Sequence, residues 1–217
     1  MITSIQKLKP IPTLTSFDFF NRLKELKDDF HNNILFKTMV DGKFTPVACD
    51  KFLFHHQFFS DQFQRLILLR SALCSQPQLE NIFYEHLLEE LGHHKMLEAE
   101  RNKIELKKDT IIEALCMWLP HQMFSTSPLE QVVIVNCGIE TAAVIMYHYV
   151  IPALDPEKKS EFFRVHEIHD EDHQLMGQEL LKNLTSQEYE RLISILEDTW
   201  AILNALMTRL CTLSLAD

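Results

Sequence analysis

The spacing of apolar residues is the feature that most limits what this chain can fold into. Apolar residues recur at intervals of three and four almost everywhere, and β-branched residues never alternate with polar ones as a half-buried strand requires. The 217 residues include only four glycines. The pattern predicts an all-α protein, and the length predicts a single domain over residues 1–217.

Caps, prolines and turn residues divide the chain into seven predicted helices. Two helix starts are well marked, because Ser127 and Thr185 each precede a glutamate by three residues, as in a capping box. The helices are predicted near residues 17–40, 46–75, 77–104, 109–119, 128–151, 156–182 and 186–214.

Charge and cysteine content limit the partners. Thirty-one acidic residues against 21 Lys and Arg give a net charge of −10, so nucleic acid is not an expected partner. The uncharged run Gln131–Ile139 is far shorter than the ~20 apolar residues that cross a bilayer, so no membrane partner is expected. Five widely spaced cysteines predict no disulfide framework, and together with an N-terminus that lacks a secretion signal they favour a cytoplasmic location.

Three polar residues lie on one face of the sixth predicted helix. His166, Asp170 and His173 fall within an arc of about 60° at 100° per residue. If this face is buried, hydrogen bonds or a metal ion must offset a cost of several kcal/mol. The alternative is a charged face in contact with solvent.

The third predicted helix repeats the pattern with His86, Glu90 and His93. In this helix and in the sixth, an acid is followed three residues later by a histidine, as in the metal-binding pairs of di-iron helical bundles. The two helices together therefore predict one metal site.

Further ligands are expected from the fifth and second helices. Glu140 is the only charged residue in Gln131–Tyr147, so it is predicted to be buried, either as a metal ligand or paired with an arginine or a backbone amide. On helix two the candidates are His56, which shares a face with phenylalanines, and Asp61, which has an arginine one turn later. The sequence does not decide between them.

These segments resemble the haem-oxygenase-like di-iron oxidases, relatives of the TenA and PqqC proteins. The family's His-x3-Asp-x2-His segment stands here as His166, Asp170 and His173, and its isolated glutamate stands as Glu140. The stretch from Glu89 to His94 is similar to the Glu-Glu-x-Gly-His stretch in the branch that includes alkene-forming fatty-acid decarboxylases. The resemblance supports Glu90 and His93 as ligands and implies a seven-helix bundle.

The resemblance also implies a function. Two ferrous ions would activate O2 to oxidise a small organic acid, amine or amino acid, with Glu140 and Tyr147 in catalytic roles. Several family members have a glutamate where this chain has His86, so the first iron site is expected to be altered. Family members often form homodimers, and the oligomeric state stays open.

Three other functions remain. A TenA-like hydrolase without metal would use Cys137 as nucleophile, assisted by Glu140. A non-catalytic metal or haem binder would use His31 as the axial haem ligand. A scaffold would present the polar stripes to a partner protein.

Overall fold

The computed structural model describes residues 13–216, except the side chains of residues 168–171. Throughout that part the regular structure is helical and no strand occurs, which confirms the predicted fold class. The helices are α1 Ser16–Phe30, α2 Ile34–Val40, α3 Pro46–Leu73, α4 Pro77–Glu90, α5 His93–Glu100, α6 Thr110–Gln122, α7 Pro128–Val132, α8 Thr141–Leu154, α9 Glu161–His173 and α10 Ser186–Leu215, with a π-helical segment at Val133–Glu140 and a 3-10 turn at Gln178–Leu181.

Each predicted helix corresponds to one or more of these elements, but three of them were predicted too long. The first is broken because the side chain of Asn33 accepts a hydrogen bond from the backbone of Leu35 and so starts α2. The third is broken at Gly92, whose φ of +100° belongs to the left-handed region. The sixth begins late, because the Asp155 carboxylate accepts two backbone N–H groups in the turn before α9.

Reciprocal capping boxes are present at both predicted positions, Ser127 with Glu130 and Thr185 with Glu188. A third box, Thr15 with Asp18, starts α1 and was not predicted. Side-chain caps therefore fix the starts of three rods in the bundle.

The 30-residue α10 and the 28-residue α3 form the centre of the bundle. The α10 helix packs against α1, α2, α3, α6 and the π-helical segment, while α3 also contacts α4, α5 and α6. Trp200 on α10 is fully buried. These contacts place α4, α5 and the π-helical segment around the centre of the bundle, where α9 packs against α5, α8 and the π-helical segment.

The α7 helix, the π-helical segment and α8 form one continuous rod, Pro128–Leu154. By length and composition this rod could cross a membrane, although the uncharged run within it, Gln131–Ile139, is short. However, 78% of its most apolar window is buried by other helices, as in a core helix. Close packing continues at Gly138, where an added Cβ would lie 2.5 Å from Thr199 Cγ2.

Candidate metal centre

Two groups of imidazoles and carboxylates meet between α4, α5, the π-helical segment and α9. We call His86, Glu90, Glu140 and His173 the inner cluster, and all four are buried. We call Glu90, His93 and His166 the outer cluster. Within each cluster the candidate ligand atoms all lie within 4.8 Å of one another, and Glu90 belongs to both. The structure thus brings six of the seven predicted ligands together, while the side chain of Asp170 lies outside the described residues.

The helix geometry places these side chains. His86 and Glu90 are four residues apart on α4 and so share a face. The turn at Gly92 then starts α5 at His93, whose imidazole contacts the carboxylate of Glu90. Glu140 is the last residue of the π-helical segment, a geometry that often occurs at functional sites.

The inner cluster is held by short contacts around His173. Its Nδ1 lies 3.1 Å from Glu90 Oε1 and 3.8 Å from Glu140 Oε2, while its Nε2 lies 2.8 Å from Glu89 Oε2. Across the cluster, His86 Nε2 lies 2.9 Å from Glu140 Oε1. Two carboxylates and two imidazoles therefore share one buried space.

In the outer cluster the backbone orients His166. Its Nδ1 lies 2.7 Å from the carbonyl oxygen of Phe162, which can only accept, so Nδ1 carries the proton and Nε2 keeps its lone pair. On the other side of the cluster, His93 Nδ1 lies 3.0 Å from Glu90 Oε2. Histidines that bind metals are commonly oriented by such a carbonyl.

A buried arginine contacts the inner cluster. Arg70 on α3 is fully buried, its Nη2 donates to His86 Nδ1, and its Nη1 donates to Asn136 Oδ1 at 2.9 Å. Burial lowers the pKa of Arg70 to about 9, opposed by the charge of Glu140, so the guanidinium stays protonated at neutral pH. Sequence reasoning missed Arg70, although it is the only charged residue between Arg65 and Glu80, the same signal that identified Glu140.

Several buried polar atoms lack an aligned hydrogen bond among the described residues. They include His86 Nε2, Glu90 Oε1 and Glu140 Oε1, whose contacts are short but not in hydrogen-bond geometry. Leaving such atoms unsatisfied costs about 1–3 kcal/mol each, and more for charged groups. The unsatisfied carboxylate oxygens of Glu90 and Glu140 fit a bound cation.

The protonation states reflect burial and close pairing. Burial lowers the pKa of His173, but the close contact with the Glu90 carboxylate and the charge of Glu140 outweigh it and raise the pKa to about 9. Burial would raise the pKa of Glu90, yet its close contacts with His173 and His93 hold that pKa well below the usual range. Burial lowers the pKa of His166.

A cavity of about 30 Å³ lies beside the clusters, room for one water or ion. Its walls carry polar groups from both clusters and three phenylalanines: His56, Phe59, Phe63, Glu90, Glu140, Tyr147, Phe162 and His166. Tyr147 and His166 also line a second pocket of about 350 Å³, together with His148, Lys158 and Glu167. The cavity and the larger pocket are therefore neighbours.

The two candidates from the second predicted helix, His56 and Asp61 on α3, lie in different pockets. His56 lines the cavity, is stacked between Phe52 and Phe59, and has no hydrogen-bond partner at Nδ1 among the described residues. Burial lowers the pKa of His56 to about 3, so its imidazole is neutral. Asp61 instead accepts a hydrogen bond from Gln57 and lines a different pocket.

The residues of the alternative functions lie elsewhere. Cys137 is fully buried, lines neither the cavity nor the larger pocket, and has a pKa raised to about 12 by burial. His31 is exposed at the end of α1, with Nδ1 3.1 Å from the Tyr149 hydroxyl. All five cysteines are free, as predicted.

Solved structures with the same fold include TenA homologues. One from Pseudomonas syringae pv. tomato aligns with a TM-score of 0.72 at 16% identity, covering 91% of this chain and 92% of its own. One from Pyrococcus furiosus gives 0.73 at 14% identity, covering 91% and 100%. A domain of unknown function with a heme oxygenase-like fold from Shewanella denitrificans gives 0.67 at 14% identity, covering 91% and 92%. The haem-oxygenase-like fold is thereby established, whereas these likenesses do not identify the di-iron oxidase branch.

No protein-family model matches the chain. Among curated sequences, the uncharacterized protein RP592 of Rickettsia prowazekii (strain Madrid E) is 30% identical over 191 residues, which are 88% of this chain and 92% of that protein. The chain therefore belongs to the same family as RP592.

Proposed function

We propose that the protein is a non-haem iron oxidoreductase that uses O2 to oxidise a small organic acid, amine or amino acid. The observation that carries the proposal is the pair of His and Glu clusters that share the buried Glu90. Imidazole together with carboxylate is a ligand set that suits ferrous iron and leaves open positions for O2 and substrate. The fold comparisons support the superfamily, and the donor set supports the choice of chemistry.

Residues of the two clusters are oriented so that they could bind the metal. Glu90 offers one oxygen to each cluster, and the Phe162 carbonyl orients His166 with its Nε2 lone pair free. Glu89 accepts from His173 Nε2 and so turns Nδ1 toward Glu90 and Glu140. Bound ferrous iron would supply electrons for the reduction of O2.

The walls of the cavity would protect this chemistry. Phe59, Phe63 and Phe162 exclude water from the side of the clusters. Tyr147 lines both the cavity and the larger pocket, and its ring lies 4.9 Å from that of His166. We assign Tyr147 as the residue that donates a proton or an electron at the boundary between metal and substrate.

The larger pocket would hold the substrate. Its volume of about 350 Å³ is within the usual range for small-molecule sites. Lys158 Nζ lies 2.7 Å from Glu167 Oε1 at the pocket wall, and both side chains are largely exposed. Because such an exposed pair stabilises a protein by only about 0–1 kcal/mol, a substrate carboxylate or amine can replace one partner at little cost.

Reconstitution tests this proposal. The metal-free protein is loaded with ferrous iron under anaerobic conditions, and O2 uptake is measured with a panel of small carboxylic acids, amines and amino acids. We expect bound iron and substrate-dependent O2 uptake. Glu90→Gln should abolish both, whereas the matched variant Glu85→Gln, at an exposed position of α4, should keep both. Wild-type protein that binds no iron would contradict the proposal.

A second candidate is a TenA-like hydrolase, favoured by the fold shared with the TenA homologues. It would require the Cys137 thiol to ionise and reach substrate, and that thiol is buried with its pKa raised to about 12. Thiamine hydrolysis in the presence of a chelator, lost in Cys137→Ser, would favour this candidate over the iron enzyme.

A further inference from the structure

We infer that the centre binds one divalent cation per chain, at the outer cluster, and that Arg70 and His86 exclude a second cation from the inner cluster. The inference rests on the proposed metal centre and specifies its composition. It starts from the opposite hydrogen bonding of two histidines, His86 and His166. Neither Arg70 nor its contact with His86 was predicted from the sequence.

The first step concerns the proton on His86. A guanidinium has only N–H donors, so the nitrogen that accepts from Arg70, Nδ1, must present a lone pair. In a neutral imidazole the proton then lies on Nε2, where the nearest acceptor is Glu140 Oε1 at 2.9 Å. A nitrogen that carries a proton cannot bind a cation. Flipping the ring would place a carbon against the buried guanidinium and leave a donor of Arg70 without its acceptor.

The second step concerns charge. Dinuclear helical bundles surround two divalent ions with four carboxylates. The two clusters contain two carboxylates, Glu90 and Glu140, in a count that leaves out the undescribed side chain of Asp170, and a buried guanidinium lies beside His86. Arg70 thus already supplies a positive charge on the inner side, and a second divalent ion there would be repelled at short range.

The third step concerns the outer cluster, where the described contacts of the His93 and His166 rings are to oxygen acceptors and not to a guanidinium, so each ring can keep a lone pair at Nε2. His166 donates Nδ1–H to the Phe162 carbonyl and keeps Nε2 as an acceptor. Glu90 presents one oxygen to this cluster, and the neighbouring cavity of about 30 Å³ has the size of a single ion or water. In this arrangement Arg70 and His86 contribute no ligand to the bound cation, and their contact keeps a second cation out of the inner cluster.

Counting metal ions tests the inference. Native mass spectrometry of the chain loaded anaerobically with iron(II) should show one ion per chain. His86→Gln should keep that ion with affinity within about threefold of wild type, whereas the matched variant His93→Gln should weaken binding by more than about 100-fold. Two ions in wild type, with one lost in His86→Gln, would overturn the inference and leave the proposed function intact. No bound ion would overturn both.

NMR gives a readout that a merely structural role would not move. Long-range proton–nitrogen spectra of the histidine rings should show His86 protonated at Nε2 both before and after saturation with zinc(II), a diamagnetic probe. His166 should be protonated at Nδ1 and should shift on zinc binding. Loss of the Nε2 proton of His86 on saturation would contradict the assignment. In Arg70→Met, the freed His86 should allow a second ion to bind.

Discussion

The outer and inner clusters share Glu90 but orient their histidines in opposite ways. A backbone carbonyl fixes His166 with a free lone pair at Nε2, while a buried guanidinium fixes His86 with a proton at Nε2. Both arrangements use one hydrogen bond to the far side of a buried imidazole. The comparison shows that the spacing of histidines and acids is not enough to identify ligands, because the partner behind each ring decides whether it can bind metal.

The largest effect is expected at the residue common to both clusters. Glu90→Gln removes the charge that each cluster uses, so metal affinity should fall by more than about 100-fold, beyond the usual cost of losing an outer hydrogen-bond partner. Isothermal titration with iron(II) under anaerobic conditions measures this loss. Retained affinity would mean that Glu90 is not a ligand of the cation.

A second prediction separates the buried charge from surface charge. Arg70→Met leaves His86 Nδ1 and Asn136 Oδ1 without their buried donor and removes a positive charge that acts on Glu140, so it should lower the free energy of unfolding by about 3–5 kcal/mol. Arg209→Met, which breaks the partly exposed pair with Asp109, should cost no more than about 1 kcal/mol. Urea denaturation of the metal-free proteins measures the loss of unfolding free energy in each variant. Equal losses would mean that Arg70 stabilises the fold no more than a surface arginine does.

A third prediction uses pH on the inner cluster. The pKa of His173 is about 9 in the folded protein and near 6.5 when unfolded, so its contribution is complete below about pH 6.5 and is lost as the pH rises through 9. The metal-free protein should lose roughly 3 kcal/mol of stability over this range. His173→Gln should flatten the profile, whereas the exposed His148→Gln should leave it unchanged.

The smallest effect is expected behind the inner cluster, where the π-helical segment packs on α10. Gly138→Ala would place a methyl group 2.5 Å from Thr199 Cγ2, and overpacking of this kind costs about 1–3 kcal/mol. The double variant with Thr199→Ser removes that methyl group and should restore much of the melting temperature. No rescue would indicate that the strain lies elsewhere.

Much of the fold and of the candidate site could be predicted from the sequence, but the partners of the buried charges could not. Local helix geometry determines both the capping boxes, at Ser127 and Thr185, and the shared face of His86, Glu90 and His93. Such features recur at fixed sequence spacings and can therefore be predicted. The contact of Arg70 with His86 joins two helices, and no local pattern encodes it.

The helix breaks and irregular segments also include features that the sequence shows and features that it does not. Gly92 was visible in the sequence, but no local pattern predicted its left-handed φ, which breaks the helix before α5. The π-helical geometry of Val133–Glu140 was not predictable, because the same apolar run satisfies the α-helical period. Cys137, by contrast, was a candidate nucleophile on residue type alone. In the structure it is buried and lines neither the small cavity nor the larger pocket.

The wide turns of the π-helical segment have a consequence for the length of this rod. A π-helix takes up more residues per turn than an α-helix, so shortening the segment by one residue exchanges one regular geometry for another instead of breaking the rod. Such a deletion would redirect the carboxylate at its end while leaving α7 and α8 in place. Relatives could therefore gain or lose an acidic ligand through a length change that the surrounding bundle tolerates.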